Sequence, residues 1–183
     1  MKRHILVGLA LAAATVLVSS GARAEVAAAY VQGYGGLASG DGAASSMSTS
    51  SPAGLGFQLG ARVLLFEGYF DHTSFGDPSV SRGIVGLRGG FGGSGLRLVL
   101  RGGVGVIDEH GGALTGRLPG SPDRQGAVAR AGLALESHIA PPLLAGFSLD
   151  GETFAFPSDF PGGPSRTGSD VFASLRLTFE LGI

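Results

Sequence analysis

The last fourteen residues alternate between apolar side chains and mostly polar ones. Every odd position from Val171 to Ile183 is apolar, whereas the even positions include Asp170, Arg176 and Glu180. A period of two places these classes on opposite faces of an extended strand, whereas a helix would need a period near 3.6. The end of the chain is therefore predicted to be a β-strand with one apolar face and one charged face.

Seven further segments show the same alternation, and no helical period competes with it after the first 24 residues. The eight predicted strands cover residues 25–37, 54–66, 67–75, 82–91, 95–108, 124–139, 143–156 and 170–183. Three long connections, at 38–53, 109–123 and 157–169, alternate with shorter ones. Eight such strands joined by alternately long and short connections predict an all-β fold, an eight-stranded antiparallel up-and-down transmembrane β-barrel with its long loops at one end.

Away from the ends of the segments, the charged residues of the predicted strands share one face. They are Arg62, Glu67, Asp71, Arg88, Arg97, Arg101, Arg130, Glu136, Asp150, Glu152, Arg176 and Glu180. An arginine that faces lipid at the bilayer midplane costs roughly 2–4 kcal/mol, so this face is predicted to line the lumen. Six arginines against six acids indicate a paired network, because an unpaired buried charge is costly. Glycines on the same face leave room for the long arginine side chains.

The first 24 residues have the three parts of a secretory signal peptide. A basic start at Lys2 and Arg3 precedes an apolar run from Ile5 to Val18, and Ala22-Arg23-Ala24 resembles a cleavage site. The apolar run is too short for a membrane-spanning helix, which needs roughly 20 residues. We therefore predict a signal peptide at 1–24 and a barrel domain at 25–183.

Composition excludes several classes of function. Removal of the predicted signal leaves ten arginines against fourteen acids, so the chain lacks the basic surface that nucleic acids require. Without cysteine it has no disulfide or thiolate metal site, and its few scattered histidines make a zinc site improbable. We expect no metal, no cofactor and no nucleic-acid partner.

With these features, the chain resembles the small eight-stranded outer-membrane β-barrels of Gram-negative bacteria, the class of the outer-membrane protein A transmembrane domain. The resemblance implies a location in the outer membrane, contact with its lipid and insertion by the barrel-assembly machinery. In that family the last strand carries the insertion signal. The matching row here is Leu175, Leu177, Phe179, Leu181 and Ile183. With no Trp in the chain, the aromatic girdle is expected from residues near strand ends: Tyr30, Tyr34, Phe66, Tyr69, Phe70, Phe75, Phe91, Phe154 and Phe156.

The expected role is non-enzymatic: a structural or surface-interaction function through the long loops, whose partner the sequence does not name, with a lumen plugged by ion pairs. One alternative is a lipid hydrolase, because His72 and Ser74 share a strand face and resemble the His-x-Ser pair of outer-membrane lipid A deacylases. No acid on that face orients the histidine. A second alternative is a secreted soluble barrel, with its apolar face turned inward around an apolar ligand.

Overall fold

The computed structural model describes residues 26–40, 53–76, 78–93, 95–111, 123–158 and 165–182. Eight strands form one closed antiparallel barrel in which each strand pairs with its neighbours in the sequence and β8 pairs with β1. The strands are β1 (Ala27–Gly40), β2 (Ala53–Val63), β3 (Phe66–Ser74), β4 (Ser79–Gly92), β5 (Leu96–His110), β6 (Arg124–Ala140), β7 (Leu143–Phe156) and β8 (Arg166–Gly182). Within these residues, no helix is long and apolar enough to cross a membrane.

All eight predicted strands are present, but several extend further toward the long loops than predicted. β1 continues to Gly40, β4 begins at Ser79 rather than at 82, and β8 begins at Arg166 rather than at 170. Apart from the buried Val80, the added positions at these three ends are polar or small, so the apolar alternation stops before the backbone pairing does. The long connections are correspondingly shorter than predicted. The proposed signal peptide, at 1–24, lies outside the described residues and stays a prediction.

The strands are strongly inclined to the barrel axis. In-register neighbours lead from Ala28 once around the barrel to Asp170 on β8, whose partner on β1 is Gly40. The circuit therefore closes twelve residues further along β1. For eight strands this shear corresponds to a tilt of about 45°. Each residue then advances about 2.3 Å along the axis.

The apolar face of the sheet points outward. Leu55, Phe66 and Leu175 are 73%, 70% and 70% exposed, and they belong to an outer surface of Leu, Val, Phe, Ala and Gly. The inward side chains of the same strands are mostly buried and polar. This arrangement is the opposite of a soluble ligand-binding barrel, so the second sequence-based alternative does not fit the structure.

Candidate functional site

The most distinctive inward feature is a large set of buried charges. Among the described residues, eight arginines and eight acids face the lumen with little exposure. The arginines are Arg62, Arg82, Arg88, Arg97, Arg101, Arg124, Arg130 and Arg176, and the acids are Glu67, Asp71, Glu109, Glu136, Asp150, Glu152, Asp170 and Glu180. Their formal charges cancel.

The ion pairs nearest the short turns form a chain that crosses between strands. Glu180 on β8 accepts from Arg62 on β2 at 3.0 Å and from Arg97 on β5 at 3.3 Å. Arg97 also donates to Glu136 on β6 at 2.8 Å, and Glu136 lies 3.2 Å from Arg88. These contacts link opposite walls of the barrel, so the lumen is bridged at this end.

A hydrogen-bonded relay connects this chain to the middle of the barrel. Arg88 lies 3.1 Å from Glu67, and the Tyr30 hydroxyl donates to the same carboxylate oxygen at 2.7 Å. The Gln58 amide donates to the Tyr30 oxygen at 2.7 Å and accepts from Arg101 at 3.1 Å. Gln58 is fully buried, so this neutral side chain links two charged groups of the lumen.

Asp150 on β7 is the centre of the charge network. Arg101 donates to its Oδ1 from Nε at 2.9 Å and from Nη2 at 2.7 Å. Its Oδ2 accepts from Arg176 and, at 3.0 Å, from Ser148. Arg130 lies 3.7 Å from the same oxygen. One carboxylate, only 2% exposed, therefore faces three guanidinium groups.

The network continues toward the loops through Asp71, which is fully buried. Its carboxylate lies 3.5 Å from Arg130, 2.8 Å from Arg82 and 2.7 Å from the Tyr34 hydroxyl that donates to it. Arg82 in turn binds Glu152 at 2.7 Å. The contacts from Arg62 to Glu152 thus form one connected network along most of the barrel.

Glycines on the lumen side create the space that this network occupies. A Cβ atom at Gly60 would overlap the ring of Tyr30, and one at Gly132 would overlap the carboxylate of Asp150. Each of these two glycines lies beside a buried polar side chain, Tyr30 or Asp150, which leaves no room for a Cβ atom. The space at Gly60 is occupied by the ring of Tyr30, whereas an arginine was expected there.

The loop end of the lumen is partly apolar. A buried cluster there contains Val80, Ile84, Ile107, Val128, Phe154 and Phe156. A small cavity beside the network is lined by Phe75 and Phe172, whose rings pack edge to face at 6.4 Å, and by Arg82 and Arg130. Among the described residues, no group of three or more His, Asp and Glu side chains could hold a metal ion.

All twelve residues of the expected lumen network face inward, and each one has an ion-pair partner. Four inward charges were missed: Arg82, Glu109, Arg124 and Asp170. Each lies at or just beyond the end of a predicted segment. Arg82 has the same parity as Arg88, so the alternation could have revealed it.

The expected aromatic girdle is wrong for six of its nine members. Tyr30, Tyr34, Tyr69, Phe154 and Phe156 are buried in the lumen, and Phe75 lines the lumen cavity. The sequence pattern could have predicted the inward position of Tyr30 and Tyr34. Both stand at even positions of β1, as does the polar Gln32, which is buried. Phe66 and Phe70 do face outward, at 70% and 44% exposure.

His72 and Ser74 both lie on the outer face, but they do not contact each other as a pair. His72 Nδ1 lies 3.0 Å from the hydroxyl of Ser81 on β4, and Ser74 donates to the carbonyl of Gly76 at 2.8 Å. The arrangement that a hydrolase would need at this position, a histidine hydrogen-bonded to Ser74, is therefore not formed.

The residues of the expected insertion signal form an exposed outward row on β8. Leu175, Leu177, Phe179 and Leu181 are 45–70% exposed, and Ile183 lies outside the described residues. The strand pairs with β1 and closes the barrel. The signalling role of this row stays a prediction.

An apolar exterior around a paired charged interior, in eight antiparallel strands, defines the class of small outer-membrane β-barrels. Solved structures of similar fold include the N-terminal β-barrel domain of OprF from Pseudomonas aeruginosa, with 17% identity, a TM-score of 0.53 and coverage of 84% of this chain and 97% of that chain. Neisserial surface protein A is similar with 9% identity, a TM-score of 0.52 and coverage of 84% and 96%. These likenesses confirm the predicted fold class. No protein-family model and no curated protein sequence matches the chain.

Proposed function

We propose that the protein is a non-enzymatic outer-membrane barrel that acts through its long loops as a structural or surface-interaction element. The observation that supports this proposal is the connected ion-pair network, which crosses the interior at several levels; we propose that it closes the lumen, so that the barrel is neither a channel nor a container for a ligand. The outer face has the composition of a lipid-facing surface, and insertion would depend on the barrel-assembly machinery.

The height of the apolar surface supports the membrane placement. The outward apolar positions of β5 run from Leu96 to Val106 without interruption by a charge. Ten residue steps at about 2.3 Å give roughly 23 Å along the axis. The apolar band of outer-membrane barrels is about 25 Å tall. The barrel is therefore tall enough to cross the hydrocarbon core of that membrane.

Cell fractionation with heat-modifiable gel migration tests this placement. The protein should require detergent for extraction, and unboiled samples should migrate differently from boiled ones because the closed barrel resists unfolding in detergent. Recovery in the soluble fraction without detergent would contradict the proposal.

The plugged lumen has its own test in planar bilayers. Purified protein should give no stable conductance, because Arg97 and Arg101 bridge opposite walls at two levels of the lumen. Replacing both with alanine should produce openings, whereas Arg166→Ala, at an exposed strand end, should not. Reproducible conductance from the unmodified protein would refute the plug.

A surface role requires the long connections to lie outside the cell. The termini of the barrel lie at the short-turn end, since Ala28 on β1 pairs with Gly182 on β8. The segments 41–52, 112–122 and 159–164 connect strands at the other end. A peptide tag inserted at 112–122 should be accessible to antibody on intact cells, whereas a tag in the 141–142 turn should require permeabilisation.

A further inference from the structure

His110, the last residue of β5, lies between two carboxylates at the loop end of the barrel. Its Nδ1 is 3.0 Å from Asp123, which stands just before β6, and its Nε2 is 3.8 Å from Asp108. We call these three residues the His110 clamp. All three side chains are partly exposed, and they lie beyond Val106, the last outward apolar residue of β5. Protons from the solvent can therefore reach the ring.

The two ring nitrogens of His110 face one carboxylate each, so the quality of these contacts depends on the protonation of the ring. A neutral imidazole carries a single N–H, which it can donate to one carboxylate while its other nitrogen turns a lone pair toward the second. A protonated imidazole donates from both nitrogens and carries a positive charge. The contacts to Asp123 and Asp108 are both favourable only in the protonated form.

The other charged groups beside the clamp point away from it. Glu109 and Arg124 are in register on β5 and β6, and both are buried on the lumen side. On β4 the residue paired with His110 is Ser79, which is neutral. Asp108 Oδ1 is enclosed by protein atoms and accepts no hydrogen bond. Among the described residues, His110 is the one basic side chain within ion-pair distance of Asp108, so the protonated ring is its source of compensating charge.

The clamp joins the ends of two neighbouring strands. The described ladder between β5 and β6 ends at the pair formed by Glu109 and Arg124. The contact between His110 and Asp123 lies one position further toward the loops and adds a side-chain link to the end of this hairpin. A change in the charge of His110 therefore acts on the place where the two strands separate.

We propose that the His110 clamp is a pH-responsive device that tightens the loop ends of β5 and β6 in mildly acidic surroundings. Protonation of His110 stabilises the two strand ends at low pH, and this stabilisation is lost as the pH rises through the range in which histidine releases its proton. The effect is local, because an ion pair between partly exposed groups contributes little to global stability. A response to the pH outside the cell rests on the orientation proposed above, whereas the clamp itself does not.

Hydrogen–deuterium exchange followed by mass spectrometry tests the clamp. The full-length protein is inserted in lipid nanodiscs, and exchange is recorded at about pH 5.5 and about pH 7.5, on either side of the usual histidine titration. Rates are expressed as protection factors, which remove the intrinsic pH dependence of amide exchange. Peptides that cover the ends of β5 and β6 should be about two- to fivefold more protected at the lower pH, the size expected for an exposed ion pair. His110→Gln should remove this difference, and Asp108→Asn should reduce it.

His72→Gln is the matched control, because His72 also faces outward near the loop end but contacts the neutral Ser81. This variant should leave the pH difference in protection unchanged. Equal protection at both pH values, greater protection at the higher pH, or a difference that survives His110→Gln would each overturn the inference. An equal loss of the difference in the control would do the same. None of these results bears on the membrane placement, which cell fractionation tests separately.

Discussion

Asp150→Asn is the substitution that most directly tests the lumen network. It keeps the size and shape of the side chain but removes the carboxylate charge that Arg101, Arg176 and Arg130 share. An asparagine retains a single acceptor oxygen, so its amide group must point toward guanidinium or hydroxyl donors on one side. Removing one partner from a buried ion pair usually costs about 3–5 kcal/mol. We expect the free energy of unfolding to fall by an amount in this range.

A second substitution separates charge imbalance from loss of packing. Arg130 has the longest ion-pair contacts of the three arginines, at 3.7 Å to Asp150 and 3.5 Å to Asp71, and Asp71 keeps Arg82 as a partner. Arg130→Met in the Asp150→Asn background restores neutrality at similar volume. It should recover about 1–2 kcal/mol, within the usual size of coupling between contacting residues.

The measurement is urea unfolding of protein inserted in lipid vesicles. The chain has no tryptophan, so folded and unfolded fractions are best followed by gel mobility of unboiled samples rather than by intrinsic tryptophan fluorescence. Asp123→Asn, at an exposed carboxylate, should change stability by less than about 0.5 kcal/mol. A comparably small effect of Asp150→Asn would mean that water screens the charges around Asp150, and the account of a sealed network would then be wrong.

Three further experiments test other parts of the structure. Leu64 adopts a left-handed backbone with φ of 54°, so Leu64→Asn should raise stability by about 1 kcal/mol in the same urea assay, whereas Leu65→Asn should not. Leu175→Arg places a charge on the exposed outer face and should cost roughly 2–4 kcal/mol, visible as reduced insertion into vesicles. His72→Ala and Ser74→Ala should leave the acylation of membrane lipid unchanged by mass spectrometry. A deacylated species that disappears in both variants would establish the hydrolase instead.

Which side chains of a strand point inward could be predicted, because successive residues alternate between its two faces. In a closed barrel every strand has one face toward the lumen and one toward the outside, so this alternation alone places Arg97, Arg101 and Arg176 in the lumen. Strand ends were less predictable, because backbone pairing continues past the apolar band at Ser79 and Arg166. Alternation of hydrophobicity says nothing about pairing where both faces are polar.

Partner identity could not be predicted, because it depends on register around the whole barrel. Arg101 on β5 meets Asp150 on β7 and Gln58 on β2, which are separated from it by 49 and 43 residues in the sequence. A different shear would move each strand along its neighbours and bring other side chains to the same level. Equal counts of opposite charges predicted a network, but only closure of the barrel determines its connections.

The polar lumen also limits how apolar each strand can be. β8 is 17 residues long, and a fully apolar segment of this length approaches the roughly 20 residues recognised as a membrane-spanning helix. Asp170, Arg176 and Glu180 interrupt the outward apolar row in sequence while pointing away from lipid in the folded barrel. With this pattern a strand can be apolar toward the bilayer without containing a long apolar run. The charges of these inward residues must then be neutralised in the lumen. A strongly sheared barrel is wide enough for arginines to reach acids on the opposite wall.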